Sequence, residues 1–169
     1  IRECDAIIHV LRCFEDDNVT HVDGSVNPVR DKEIIDYELQ IKDLESIEAR
    51  IGKVQKQAQT GGDKQAKVVY DVLLRYKEAL LQGKSARTVV LNNKDEEKAA
   101  HELFLLTNKP VMYVCNVDEA SAVEGNQHVE AVREAIKDEN AGLMIVAAKI
   151  ESEIAEFETA EERDMFLSE

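Results

Sequence analysis

Short apolar runs occur at three places along the chain. Each is rich in Val and Ile and lacks a clean alternation of apolar and polar positions, which is typical of strands buried on both faces of a parallel sheet. The runs occupy residues 6–11, 111–115 and 143–148. We therefore predict three parallel strands.

A helical pattern lies between the second and third runs. Val129, Val132 and Ile136 share one face, and Gly142 follows as a stop signal. Strand, helix and strand within about thirty residues form a βαβ unit. We predict two more helices after the third run, the second of which begins with a capping box of Thr159 and Glu162.

About 95 residues separate the first two strands, far more than an ordinary connection between a strand and a helix. Apolar positions recur every three or four residues from Ile34 to Ala58, and again from Val69 to Leu80. The sequence TGGD at residues 60–63 supplies a helix stop and a new N-cap between them. These patterns predict an antiparallel coiled-coil hairpin, followed by a third helix over residues 94–106.

The predicted fold class is therefore α/β, a parallel Rossmann-like sheet with an inserted helical hairpin. We expect residues 1–30 and 107–169 to form the sheet domain and residues 31–106 to form the inserted arm.

Polar residues follow the second strand directly, at Asn116, Asp118 and Glu119. Open parallel sheets bind ligands beyond the carboxyl ends of their strands. An amide and a carboxylate three residues apart can hydrogen-bond to the edge of a nucleobase. The alternative is a polar loop in which Asp118 or Glu119 caps the next helix, and the short pattern alone favours that alternative.

A second signal follows the third strand, where Ala147-Ala148-Lys149 precedes a helix. Small residues there allow backbone N–H groups to approach a ligand closely. Together the two signals resemble the base-recognition motifs of the P-loop GTPase superfamily. The usual Asn-Lys-x-Asp of that superfamily is replaced here by Asn116-Val117-Asp118-Glu119.

With the hairpin and the stretch FEDDNVTHVDGSVNPVRD at residues 14–31, the chain resembles the YchF / Obg-like ATPase family of P-loop NTPases. The likeness also covers IRECDAIIHVLRCF at the start and AAKIESEIAEF near the end. It implies a cytoplasmic protein that hydrolyses ATP or GTP with Mg²⁺, carries a coiled-coil arm and a C-terminal TGS domain, and associates with ribosomes.

The resemblance also implies relaxed guanine specificity. Guanine presents two adjacent donors to a short carboxylate, whereas Glu119 is one methylene longer than aspartate, and an imperfectly paired polar group costs about 1–3 kcal/mol. Val117 would offer the base an apolar contact in place of a lysine stem. The expected nucleotide-binding residues are Asn116, Val117, Glu119, Ala147 and Ala148.

The sequence contains no GxxxxGK[ST] motif and no Asp-x-x-Gly switch. In the family both precede the segment that this chain resembles. We therefore expect the chain to be a central piece of the family's proteins, with no catalytic residue of its own. It should be inactive alone and should bind no cofactor alone.

The formal net charge is −14, which disfavours nucleic acid and anionic membranes as partners of the whole surface. Residues 49–77 differ, because seven Lys and Arg oppose two Asp there. A solvated helical face is one interpretation. The resemblance favours the other, a tip that binds the ribosome or structured RNA through Arg50, Lys53, Lys56, Lys64 and Lys67.

Other features predict less. The odd number of cysteines favours reduced thiols, with Cys13 and Cys115 buried. No apolar run approaches the ~20 residues of a membrane span. We predict no metal site, because the spacing of the acids and histidine in residues 16–23 fits no regular zinc or calcium loop. His9 is expected to be a core residue.

Two rival hypotheses remain for the chain as a whole. One is a non-enzymatic coiled-coil interaction module on an α/β scaffold. The other is an unrelated open-sheet domain, such as a flavodoxin-like fold, against which the long hairpin argues.

Overall fold

The computed structural model describes residues 2–16, 25–60 and 63–167. These residues form two compact units. The helical unit lies within residues 1–7 and 33–110, and the sheet unit lies within residues 8–32 and 111–169. The domain division expected from the sequence, residues 1–30 and 107–169 against residues 31–106, stays a prediction.

Three strands form a single sheet in the order β1-β2-β3. They are β1 (Ile7–Arg12), β2 (Val111–Asn116) and β3 (Gly142–Val146). The strands β2 and β3 are parallel, with Asn116 opposite Val146. The predicted α/β class is confirmed, although β3 ends two residues earlier than expected because Ala148 already belongs to the next helix.

Three helices complete the sheet unit: α4 (Gln127–Ile136), α5 (Ala148–Glu156) and α6 (Ala160–Leu167). The predicted capping box of α6 is present. The backbone N–H of Thr159 donates to Glu162 Oε2, and the N–H of Glu162 donates to Thr159 Oγ1, both at 3.2 Å.

The helix α4 buries Val129, Val132 and Ile136 as its sequence pattern predicts. Gly142 is not the residue that stops it, because Gly142 is the first residue of β3. The turn after α4 instead places Asn140 in the left-handed region, at φ 51°. Asparagine tolerates that conformation better than most residues.

The core of the sheet unit contains a cluster of buried residues from the sheet, α4 and the adjoining loops. Cys13 and Cys115 are fully buried in it, and Cys4 is exposed. The hydrogen bond to Cys115 and the burial of the sulfur raise the pKa of the Cys13 thiol. Cys13 therefore remains a protonated thiol at neutral pH.

A buried lysine is held at the margin of this core. Lys32 lies 5% exposed, and its Nζ is 2.6 Å from Glu139 Oε1. The hydroxyl of Tyr113 donates to Glu139 Oε2 at 2.7 Å. Both carboxylate oxygens of Glu139 thus have a partner, which is the condition for tolerating a buried charge.

The helical unit contains most of α1 (Pro28–Gln59), together with α2 (Lys64–Leu81) and α3 (Lys94–His101). Residue pairs show that α1 and α2 run antiparallel. Lys77 Nζ is 2.9 Å from Glu48 Oε1, and Gln40 Nε2 donates to the carbonyl of Gly83 at 3.1 Å. The predicted hairpin is confirmed. From here on, the word arm refers to the two helices of this hairpin, α1 and α2.

The core of the helical unit forms between the arm and α3. Its buried members include Ile47, Val72, Leu73, Tyr76 and Ala100. Burial raises the pKa of Tyr76 to about 12.

The predicted seam extends too far toward the start of α1. Ile34, Tyr37 and Ile41 are 45%, 64% and 37% exposed, whereas Leu44 and Ile47 pack in the cluster. Periodicity identified the helix correctly, but only the later part of this stripe contacts α2.

The third predicted helix also ends early, at His101 rather than at residue 106. Phe104 takes a φ of 52°, which breaks the helix. The carboxylate of Asp43 then accepts hydrogen bonds from the backbone N–H of Leu106 at 3.0 Å and from that of Thr107 at 2.7 Å. These tertiary bonds replace the helical ones that the local sequence favours.

None of the helices among the described residues combines the length and the apolar character needed to cross a membrane.

Candidate nucleotide-binding site

A cleft of about 270 Å³ opens in the sheet unit. It lies where β2 ends and α5 begins, beside the residues that follow β1. Its lining comprises Phe14, Glu15, Asp16, Asn116, Val117, Asp118, Glu119, Lys149, Ile150 and Glu153. The structure therefore brings the two sequence motifs together at the carboxyl edge of the sheet.

Asn116 connects the two motifs directly. Its side-chain Oδ1 accepts a hydrogen bond from the backbone N–H of Ala148 at 3.1 Å. The N–H of Ala148, which the sequence offered as a ligand contact, is thus bonded to Asn116. Ala147 is buried, at 7% exposure, and its carbonyl accepts from the N–H of Glu151 at 3.1 Å.

Asp118 caps the turn that follows the strand. Its Oδ1 accepts from the backbone N–H of Ser121 at 2.9 Å, at the start of a 3₁₀ turn over Glu119–Ser121. Asp118 thus acts as a cap, as the alternative expected, but of this 3₁₀ turn and not of α4. The helix α4 is capped instead by Asn126, whose Oδ1 accepts from the N–H groups of His128 and Val129.

Glu119 and Val117 differ in exposure. Glu119 is exposed, and no hydrogen bond joins its carboxylate to any residue that the structure describes. Val117 is 3% exposed and packs in the core, so only a small part of it faces the cleft. Its contact with a base stays a prediction.

Sequence reasoning missed the wall of the cleft formed by residues 14–16, and also Ile150 and Glu153. A signal for the wall was available. In a parallel sheet, the carboxyl ends of neighbouring strands meet at one edge, so the residues after β1 belong beside those after β2.

The charge around the cleft is unequal. Glu15, Asp16, Asp118, Glu119 and Glu153 contribute five carboxylates, and Lys149 contributes one ammonium group. Such a lining suits the N–H donors of a base better than it suits phosphate groups.

Within the described ranges, no group of three or more His, Cys, Asp or Glu is arranged to hold a metal ion. Of the acids and histidine weighed for that role, Asp17, His21 and Asp23 lie outside those ranges. His9 is half-buried, with its ring 5.6 Å from that of Tyr113.

The helical unit carries the second candidate site. Five exposed cations lie late in α1 and early in α2, and we call them the basic tip: Arg50, Lys53, Lys56, Lys64 and Lys67. No ion pair joins them to a carboxylate among the residues described. The two remaining cations of the segment are paired, Arg75 with Glu96 at 2.7 Å and Lys77 with Glu48.

No protein-family model matches the chain. Curated relatives do. A "Ribosome-binding ATPase YchF" of Bacillus subtilis (strain 168) is 47% identical over 171 residues, which cover 100% of this chain and 46% of that protein. An "Obg-like ATPase 1" of Rattus norvegicus is 37% identical over 99% of this chain and 43% of its own length.

A solved structure agrees. The YchF GTPase of Schizosaccharomyces pombe superposes with a TM-score of 0.84 at 28% sequence identity, over 99% of this chain and 46% of that one. The chain therefore corresponds, over at least 99% of its length, to a segment of proteins of the YchF / Obg-like ATPase family. The resemblance stated from the sequence is thereby confirmed.

The chain spans less than half the length of these YchF and Obg-like relatives. The superposition on a solved structure therefore establishes the fold of this segment. The activity and partners of a whole YchF-type protein are a matter of proposal.

Proposed function

We propose that this chain supplies the base-binding part of an ATP- and GTP-binding protein of the YchF type, which associates with ribosomes. The observation that carries the proposal is the cleft at the carboxyl end of β2, lined by Asn116 and Glu119. The relatives, which include a ribosome-binding ATPase and a GTPase, support it.

Asn116 suits a purine of either kind. Because its Oδ1 accepts from Ala148, its Nδ2 remains the donating end of the amide. Adenine and guanine both carry an acceptor at ring nitrogen N7. A donor in this position binds both bases without distinguishing them.

Glu119 favours weak discrimination between adenine and guanine. Guanine offers N1–H and its N2 amino group side by side, and adenine lacks both. An exposed glutamate reaches farther than an aspartate and is less constrained, so it does not enforce pairing with the guanine donors. Ala147 and Ala148 directly precede Lys149 of the cleft lining, and as small residues they would leave room for the ring.

Phosphate and Mg²⁺ would be bound outside this segment, because the sequence contains no GxxxxGK[ST] motif. Hydrolysis is accordingly proposed for the full-length protein and not for this chain alone.

The basic tip would bind the ribosome or structured RNA. Its five cations are exposed, and none is neutralised by a described carboxylate. The same observation favours a second candidate, an interaction module in which the sheet unit has no nucleotide role.

Competition binding on the full-length protein tests the base site. We expect Glu119→Asp to shift the ratio of ATP to GTP affinity about tenfold toward GTP, because a short carboxylate pairs with both guanine donors. Val117→Lys should be added only as a second step, since Val117 is 3% exposed and its replacement risks the core.

Asn116→Ala is the companion variant and should lower the affinity for both ATP and GTP. Asp95→Asn, an exposed acid in the first turn of α3, is the control. An unchanged ratio in Glu119→Asp together with unchanged affinities in Asn116→Ala would show that residues 116–119 do not bind the base. The interaction module would then be the better account.

A further inference from the structure

One wall of the cleft depends on a single arginine. Arg12, the last residue of β1, donates from Nε to the carbonyl of Phe14 at 3.1 Å and from Nη2 to the carbonyl of Asp16 at 3.3 Å. The central carbon of its guanidinium group lies 4.9 Å from the centre of the Phe14 ring.

Residues 14–16 belong to neither a helix nor a strand. Their backbone therefore lacks the ladder of bonds that fixes regular structure. A planar guanidinium with donors at fixed positions is well suited to hold two carbonyls at once, and its face attracts the π face of an aromatic ring. Arg12 provides both contacts to this segment.

Other contacts among the described residues lie on either side of Phe14. Before it, the carbonyl of Cys13 accepts from Asn126 Nδ2 at 2.7 Å. After it, Glu15 approaches His128 Nε2 at 3.4 Å, but the side chain of Glu15 is 72% exposed. Arg12, by contrast, contacts the Phe14 ring itself.

We infer that Arg12 is a positioning residue of the base cleft, which holds the Phe14 ring and the wall of residues 14–16 against the purine. The inference rests on the proposed function of that cleft. Arg12 acts through Phe14 and does not itself distinguish bases, because adenine and guanine both present a π face to an aromatic side chain.

Calorimetry on the full-length protein, with ATP and with GTP, tests this role. Arg12→Met should lower the affinities for ATP and for GTP about tenfold each and leave the ratio of the two affinities unchanged. Arg12→Lys should recover part of the loss, since an ammonium group can stay over the ring but cannot bond to both carbonyls. Arg133→Met, an exposed arginine on α4 that pairs with Glu130, is the charge-matched control and should bind like the parent.

A double-mutant cycle separates positioning from general stability. In a Phe14→Leu background, Arg12→Met should cost much less than it does in the parent protein, because the ring that it positions is gone. Equal losses in the two backgrounds, or affinities unchanged by Arg12→Met, would overturn the inference.

The same measurements distinguish failure of the Arg12 inference from failure of the proposed base site. If Asn116→Ala weakens binding and Arg12→Met does not, the base site stands and the role of Arg12 falls. If neither variant changes the affinity for either nucleotide, both fall together.

Discussion

At the scale of single residues, Asp43 holds the turn that follows α3 within the helical unit. It is fully buried in α1, and its carboxylate accepts from the backbone of Leu106 and Thr107 and from the hydroxyl of Thr107 at 2.8 Å. Arg2 adds a charged partner at 3.1 Å. One side chain thus satisfies two backbone donors that the end of α3 leaves without helical partners.

Replacing Asp43 should destabilise the protein strongly. In Asp43→Asn an amide N–H₂ group takes the place of one accepting oxygen, so donors that now share the carboxylate lose their partner in a buried site. We expect the free energy of unfolding to fall by about 2–4 kcal/mol. Chemical denaturation of the chain measures this.

Glu45→Gln, two residues away on the exposed side of α1, is the control. Its ion pair with Lys42 is solvent-exposed, so its stability should be nearly unchanged. If both variants unfold at the same denaturant concentration as the parent, the buried carboxylate is not what holds this turn.

The difference between Asn116 and Asp43 shows what a sequence predicts at this scale. Asn116 was predictable because it directly follows a buried run, and its role depends on where a strand ends. The backbone donors that Asp43 accepts from, at Leu106 and Thr107, are more than sixty residues away along the chain, and Arg2 is 41 residues away. Nothing in the local pattern distinguishes it from the exposed acids of α1.

At the scale of elements, periodicity predicted the helices and strands well and their ends less well. The sequence HELFLL at residues 101–106 is rich in helix formers, yet α3 ends at His101. Buried contacts of Leu103 and Leu105 in the core of the helical unit compete with helix propensity there. Lengths set by such contacts are not readable from local pattern.

The arm has a testable electrostatic role. Changing Lys53, Lys56, Lys64 and Lys67 to Gln should weaken association with ribosomes and make that association less dependent on salt. Each phosphate that a lysine neutralises releases condensed counterions, so a variant with fewer such contacts releases fewer of them. Nucleotide hydrolysis by the full-length protein should be nearly unchanged. Co-sedimentation with ribosomes across a salt series measures the first two effects, and phosphate release measures the third.

A matched variant removes four charges elsewhere in the helical unit, at exposed lysines Lys42, Lys84, Lys94 and Lys98. It should sediment like the parent protein. Equal weakening in both variants would indicate a general charge effect. Parent-like behaviour of the tip variant at every salt concentration would show that the tip is a solvated face.

At the scale of the whole molecule, the sheet unit exposes apolar surface. Ile8 and Val10 on β1 are 64% and 62% exposed, and Met144 on β3 is 49% exposed. The pattern predicted strands buried on both faces, as in a parallel sheet covered by helices. The class of sheet was predicted correctly, but the expected burial of both faces is wrong at these positions. The sequence of a strand shows that it is apolar and does not show whether another element covers it.

The isolated chain should bind nucleotides weakly. Its cleft offers contacts for a base, but the sequence lacks the motif that binds phosphates, which supply much of the affinity of such proteins. Calorimetry should give dissociation constants for ATP and GTP weaker than about 1 mM, equivalent to less than 4.1 kcal/mol of binding free energy. A micromolar constant for either would contradict this expectation.

Adenosine is the matched ligand for that measurement. If the chain contacts only the base and its sugar, adenosine and ATP should bind about equally. A clear preference for ATP would point to a phosphate contact within this segment, with Lys149 at the cleft as the first residue to test.

The position of Asp43 has a consequence for how such proteins diverge. Among the described residues, the hydrogen bonds of residues 52–68 join residues of the same helix or of its capping turn. The contacts that fasten the helical unit lie nearer the other end of the hairpin, at Asp43 and at the pairs Glu48–Lys77 and Arg75–Glu96. The length of the hairpin is therefore independent of the contacts that hold it in the helical unit. Evolution can lengthen or shorten the hairpin by equal numbers of turns in both helices and leave the fastening residues untouched.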